Sequence, residues 1–468
     1  MENDIKYTVA NNLINYKRLD LIIKYLRAQE ILEQNYNPFN QDIFKDLYIR
    51  HILLRTKGYE PKRIYENINS KDFINDYCNT FDKLVLDMKN NGFNPNYPIH
   101  WSKKNSWPEN GAHRIAAATL LNLSIPYKIV EGGDSWSFDW FCKMGFNTED
   151  KQRILKGYAD IKSSNCAIFI IWNHMYDYID HIKNIISNRM QIIGEIELDF
   201  EDNYKAFTNL ILDIYEYNIR KYHCEEGIRE KIKILSSNRL NFKVILTEIN
   251  KADSLENKKF QKINASDEAK LCKNEIRALF NHLFPQDCFC TIHSSSDEKE
   301  LIYLSSILFS PNNIKHLKLR LEDKYDPQFI DKLREIPKFI NSIGISNETE
   351  ICIIGSSVMT PLGIKENFTD IDFITDTKYR ERLGWTSRHI ENKFDLGTSD
   401  KYLNQKLKIS DNIVIYNDNY HFWFKGFKFG SMDILGGSAS FRTSPFYGFR
   451  PLSLRRNIQY QDSHTLVS

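Results

Sequence analysis

The sequence predicts a multidomain α/β protein of the α+β kind, built from a helical N-terminal region, an α/β middle layer and a mixed-sheet C-terminal domain. Three patterns predict it. Apolar residues recur at helical steps through the first 94 residues, short apolar runs alternate with helical stretches from 165 to 325, and two apolar strands frame a Gly-Ser turn after residue 350. At 468 residues the chain is long enough for two to four domains, and we divide it at 1–160, 161–325 and 326–468.

In the first region Leu13, Ile14, Tyr16, Leu19, Leu21, Ile22, Tyr25 and Leu26 mark one packed amphipathic helix. Phe73, Ile74, Tyr77, Phe81, Leu84 and Leu86 mark another, stopped by Asn90-Asn91-Gly92. In the middle region strands are expected at 166–172, 190–198, 242–249 and 288–293, with helices near 175–188, 204–221, 267–284 and 298–309. Strands separated by helices of that length argue for a mainly parallel sheet. A further helix is expected over 326–345, and Asn250 to Ser266 reads as a polar loop.

Composition narrows the function classes. The chain is 42% hydrophobic and 26% charged, as a soluble globular protein is, and its formal net charge is only +2. So small a charge gives no sign of a duplex-binding face or an anionic membrane surface. The apolar run near Cys166–Trp172 is too short to span a bilayer, and Met1-Glu2-Asn3-Asp4-Ile5-Lys6 lacks the basic start and apolar core of a secretion signal. The eight cysteines show no zinc spacing and read as reduced thiols of a cytoplasmic protein.

The most informative stretch runs from Gly355 to Phe373. The apolar segment Glu350-Ile351-Cys352-Ile353-Ile354 leads into Gly355-Ser356-Ser357, and Asp370 and Asp372 follow within a second apolar strand. Residues i and i+2 of a strand share a face, roughly 7 Å apart. Asp370 and Asp372 therefore project together while Ile371 and Phe373 turn to the core. Adjacent carboxylates are costly to desolvate unless a cation or donors compensate, and Mg²⁺ suits oxygen ligands of this kind.

This arrangement resembles the nucleotidyltransferase superfamily, in which a Gly-Ser turn precedes an Asp-x-Asp strand. The resemblance covers about the last 120 residues. It implies that Gly355, Ser356 and Ser357 contact phosphate, that Asp370 and Asp372 hold two Mg²⁺ ions, and that a third carboxylate lies on a later, neighbouring strand. Asp433, within Phe427-Lys428-Phe429-Gly430-Ser431-Met432-Asp433-Ile434-Leu435, is the candidate, with Asp411 and Asp418 as competitors. Among Lys365, Lys425, Lys428, Arg442 and Arg450, two or three are expected to neutralise phosphate, Lys428 in particular. The aromatic run Tyr420–Phe424 reads as core and sheet face, or as a stacking surface for a base or sugar.

A second motif runs from Trp107 to Val130. An extended segment reaches Gly111, His113-Arg114 opens an alanine-rich helix, and a strand closes the unit after Pro126. Arg114 and the first-turn N–H groups would converge on an anion there. Residues 95–132 resemble the phosphate-binding box of the ParB/sulfiredoxin-like fold, which implies nucleotide or phosphate binding by Gly111, His113 and Arg114. Glu109-Asn110 replaces the family's acidic residue before the glycine. No helix-turn-helix follows, so DNA is not expected as a partner. Elsewhere, His293 and His174 stand at predicted strand ends; around His293, Ser296 or Asp297 explains the local sequence as a helix cap.

These readings combine into a Mg²⁺-dependent transferase of a nucleotidyl or phosphoryl-type group, with a nucleotide and a small-molecule sugar, polyol or glycan precursor as substrates. A loose resemblance of 271–308 and 426–429 to proteins of surface-polysaccharide gene clusters implies polysaccharide biosynthesis. Two alternatives stand beside it: a toxin or defence-type nucleotidyltransferase modifying RNA or protein, and a non-catalytic nucleotide-binding protein.

Overall fold

The computed structural model describes residues 5–33, 43–55, 74–132, 135–201, 203–237, 239–249, 264–283, 290–320, 325–364, 370–383, 388–390, 394–396 and 409–435. Helix and sheet are mixed throughout, and the described strands form three sheets. None of the described helices is long and apolar enough to cross a membrane.

The first region holds β1 (Lys6–Val9), α1 (Asp20–Glu33), α2 (Ile43–Arg55), α3 (Ile74–Asn91), β2 (Ile99–Ser102), β3 (Trp107–Pro108), α4 (Ala112–Leu120), β4 (Ser124–Val130), α5 (Phe138–Lys143) and α6 (Thr148–Ile161). Its sheet has the order β1-β4-β2-β3, with β4 and β2 parallel and the other pairs antiparallel. The alanines of α4 (Ala116, Ala117, Ala118) are fully buried, which lets α1 lie close against it. α1 is buried on every side, and its charges are compensated internally. Asp20 takes Arg18 at 2.8 Å and Lys24 at 2.7 Å, while Arg27 reaches Glu30 and Asp82, both at 2.8 Å. β1 is an addition to the expected helices. Its residues are mostly exposed, so no alternation marks them as a strand.

The middle region comprises β5 (Cys166–Trp172), α7 (Ile179–Ser187), β6 (Met190–Asp199), α8 (Tyr204–Ile214), α9 (Glu216–Tyr222), α10 (Glu225–Leu235), β7 (Asn241–Ile249), α11 (Ala265–Phe280), β8 (Ile292–Ser294), α12 (Glu298–Leu308) and α13 (Pro311–Leu319). The strands stand where the apolar runs place them, but every neighbouring pair is antiparallel, in the order β6-β7-β5-β8. The expectation of a mainly parallel sheet is thereby corrected. The physical reason is interleaving. β5 and β6, joined through α7, do run in the same direction, yet β7 lies between them. β7 and β8, joined through α11, likewise share a direction and straddle β5. Strand–helix–strand alternation sets the direction of successive strands, not which strands touch. One face of this sheet joins α1, α6, α8 and α12 in a continuous core that includes Ile22, Leu155, Ile168, Leu210 and Leu304. The other face packs α7 and α11 through Ile182, Ile186, Ala269 and Ile276.

The last region begins with α14 (Pro327–Ser342), capped by Asp326 and started by Pro327. It continues with β9 (Ile351–Ile354), β10 (Ile371–Thr375), α15 (Thr377–Leu383), β11 (Arg388–Ile390), β12 (Phe394–Leu396), α16 (Asp411–Tyr416), β13 (His421–Phe424), β14 (Phe427–Gly430) and α17 (Met432–Leu435). The mixed sheet has the order β11-β12-β10-β9-β14-β13. α14 covers one face through Phe329, Leu333, Ile336 and Ile340. The β13–β14 hairpin turns on Lys425 and Gly426, both at positive φ, and is tied to the middle region. Arg320, paired with Asp213 at 2.7 Å with both side chains only 1% exposed, donates to the Trp423 carbonyl, and the Trp423 amide donates to Asn313 Oδ1 at 2.8 Å.

Candidate functional site

The two strands that carry the Gly-Ser and Asp-x-Asp elements are neighbours. β9 and β10 pair antiparallel, with Ile354 opposite Asp372 and Ile353 opposite Phe373. Alternation then acts as expected: Ile371 and Phe373 are buried against α14, while Asp370 and Asp372 remain half-exposed. Immediately after β9 the chain turns through Gly355 at φ +72°, a conformation that disfavours any side chain. A Cβ at Gly355 would also stand 3.0 Å from Asp372 Cγ. The glycine is therefore required twice, by its backbone angle and by the carboxylate packed against it. Ser356 is half-buried at the start of this 3₁₀ turn. Ser357 is buried and donates its hydroxyl to the Ile354 carbonyl at 3.0 Å, which makes it part of the turn's own bonding.

The sheet supplies a third carboxylate position that sequence reading missed. β12 runs parallel to β10 on the side away from β9, and Asp395 is the register partner of Asp372. The neighbouring Phe394 is buried and stacks on Phe339 of α14 at 4.4 Å, with Phe373 on the same ring at 6.0 Å. Alternation from Phe394 therefore places position 395 on the face of Asp372. The side chain of Asp395 lies outside the described residues, and among those described no three His, Cys, Asp or Glu gather as a metal-ligand group. Lys393-Phe394-Asp395-Leu396 does carry a signal: an acid between apolar residues, in a run too short to read as a strand.

Asp433 is placed differently from expectation. It belongs to α17, past the end of β14, and β9 separates β14 from β10. It is thus not on a strand beside Asp370 and Asp372, and its side chain lies outside the described residues. Its competitors are committed elsewhere. Asp411 is buried on α16, and Asp418 pairs with Lys156 and His421, both at 3.1 Å.

Lys428 is turned inward, away from phosphate. Its ammonium donates to the carbonyls of Thr349 and Ile415, both at 2.7 Å, and burial lowers its pKa to about 8. Lys425 stands 3.6 Å from Glu216. Lys365, Arg442 and Arg450 lie outside the described residues. The Tyr420–Phe424 run is buried, with Tyr420, Phe422 and Phe424 in the C-terminal core and Trp423 in the core shared with the middle region.

The structure does not bring the N-terminal box together as an anion site. Gly111 takes φ +73° before α4, as the motif requires. His113, however, turns into the helical layer. Its Nε2 lies 2.7 Å from the Tyr48 hydroxyl and its ring packs edge-on to Phe81 at 4.7 Å. Arg114 donates to the Tyr97 carbonyl and lies over Phe93 at 5.8 Å. His293 is likewise spent internally, 3.2 Å from Glu300, while Asp297 caps α12 by accepting from the Glu300 amide at 2.8 Å. His174 lines a polar cavity at the end of β5.

No known family, curated protein or solved structure matches this chain. The reading of the site rests on its own geometry.

Proposed function

We propose that the chain is a Mg²⁺-dependent transferase that moves a nucleotidyl or phosphoryl-type group from a nucleotide to a hydroxyl of a small sugar or polyol acceptor, in the manner that surface-polysaccharide precursors are made. The observation that carries this reading is the packing of side-chain-free Gly355 against Asp372, with Asp370 just before the strand and Asp395 in register beside Asp372. Two half-exposed carboxylates two residues apart, with a third position across the ladder from Asp372, are hard oxygen donors that fit Mg²⁺. Asp370, Asp372 and Asp395 would hold the metal; when bound, it supplies charge neutralisation for transferred phosphates. Gly355 keeps the space beside the carboxylates free of a side chain. α14 fixes the sheet through Phe339, so the carboxylate face is held rigidly while its opposite face is packed. The near-neutral formal charge of +2 favours a small acceptor over a nucleic acid.

Calorimetric titration of ATP, CTP, GTP and UTP, with and without Mg²⁺, tests this. Binding should require Mg²⁺, disappear in Asp370→Asn/Asp372→Asn, weaken in Asp395→Asn and persist in Asp433→Asn. Nucleotide binding that survives the double substitution would remove the metal site from the reaction.

A further inference from the structure

A second polar centre lies in the middle region, where the carboxyl ends of β5 and β6 meet the start of β7. Trp172 and Leu198 both pair with Phe242, so Asn173 and Asn241 lie just beyond them, and Asn241 reaches back to Glu197. Here a cavity of about 500 Å³ is lined by Asn173, His174, Tyr176, Glu197, Arg239, Asn241 and Lys243. It shares Glu197 and Lys243 with a larger trough along the outer strand β6.

The walls are built rather than incidental. Asn241 is 6% exposed, and its Nδ2 donates to Glu197 Oε1 at 2.6 Å. A carboxylate only accepts, so the amide nitrogen must face Glu197 and the amide oxygen must face elsewhere. That oxygen, Asn241 Oδ1, is a buried acceptor with no hydrogen-bond donor from the protein. Asn173 is fixed by donating to the Arg239 carbonyl, and Lys243 Nζ lies 5.4 Å from the centre of the Tyr176 ring. Burial, and then the Glu197 carboxylate, raise the Tyr176 phenol's pKa, so it stays a neutral donor.

We propose that this cavity binds a hydroxyl-rich small molecule carrying one acidic group, a sugar acid or sugar phosphate. A buried amide oxygen and a carboxylate accept from ligand hydroxyls, as an apolar ligand could not satisfy. The Tyr176 ring offers a flat face for a sugar ring. The lining carries two cations, Arg239 and Lys243, while its one carboxylate, Glu197, already accepts from Asn241 and Asp199 stands outside the lining opposite Asn241, so the two cations are placed to meet an acidic group on the ligand. This site is distinct from the carboxylate face of β10 and its assignment does not rest on that one.

The test is saturation-transfer NMR on the full chain, without nucleotide or Mg²⁺. The probes are a panel of hexoses, hexuronates, hexose 1-phosphates and hexose 6-phosphates. Acidic members should bind and the neutral hexoses should bind about tenfold more weakly, with the hexuronate and phosphate arms identifying the acid. Arg239→Gln, at an exposed side chain that folding does not need, should weaken the acidic members about tenfold. Asn241→Leu should abolish binding, while Asp370→Asn/Asp372→Asn should leave it unchanged. The proposal is overturned if no panel member binds, if neutral and acidic members bind alike, or if binding is the same in Arg239→Gln as in the native chain.

Discussion

Two motifs with equally suggestive residue types meet opposite fates in this molecule. Around β9 and β10 a positive-φ glycine, a serine and two aspartates are each half-exposed. At the start of α4 a glycine with nearly the same angle, +73° against +72°, precedes a histidine and an arginine that the fold consumes. The difference comes from what stands opposite. On β10 the α14 face is packed at Ile371 and Phe373, and Asp372 between them stays half-exposed, with Ile374 beyond it buried again on Asp372's own face. α4 lies between a sheet and the helices α1 and α3, so His113 finds Tyr48 and Phe81 while Arg114 finds a carbonyl. Residue types propose chemistry; the neighbouring layers decide which way the side chains are turned.

The sharpest way to break this contrast is to remove charge on each side. Asp370→Asn/Asp372→Asn should reduce Mg²⁺-dependent nucleotide affinity at least about a hundredfold, measured by calorimetry. His113→Gln should leave it within error. Lys428 provides the next largest effect, because it was expected at phosphate and is buried instead. Its pKa near 8, below the ordinary 10.5, means the folded state binds fewer protons than the unfolded state between those values. Stability should therefore rise as pH increases through that window, by up to about 3 kcal/mol from this group. Lys428→Met should flatten that rise, compared by denaturant melts at pH 7.5 and 10. An unchanged slope would mean that Lys428 is solvated and available to a ligand.

The glycines give a matched pair. Gly355→Ala and Gly111→Ala each place a Cβ at positive φ, costing about 1–2 kcal/mol apiece in melts. Only Gly355→Ala should also weaken Mg²⁺-dependent nucleotide binding, because its Cβ displaces the Asp372 carboxylate. Equal binding losses at both glycines would put the N-terminal box back into the nucleotide site.

Much of the fold was legible because period alone carries it. Cys166–Trp172 is a strand along its whole apolar run, and α12 starts at the Asp297 cap that the sequence marks. The half-exposure of Asp372 between buried Ile371 and Phe373 follows from the two-residue period of a strand. Three things were not legible, each for a physical reason. Whether neighbouring strands of the middle sheet run parallel depends on which strands become neighbours, a choice made by tertiary packing. The inward turns of His113 and Lys428 depend on carbonyls and rings far along the chain. Asp395 lies in a three-residue strand that pairing with β10 and β11 sustains, so its local run says little. Nothing in the local sequence marks the cavity at Asn241, because its walls come from three strands brought together only by the fold.

The smallest effect isolates the structural role left to the N-terminal motif. Tyr48→Phe removes the hydroxyl 2.7 Å from His113 Nε2 and keeps the ring against Phe81, 5.5 Å away. A net hydrogen bond of this kind contributes about 1 kcal/mol, so the melting temperature should fall by only a few degrees. Nucleotide affinity should not move, since His113 holds α4 against α2 and α3 rather than facing a ligand. A loss of nucleotide affinity without a loss of stability would reverse that assignment: Tyr48 would then be orienting His113 toward a bound phosphate, and both motifs would belong to binding sites.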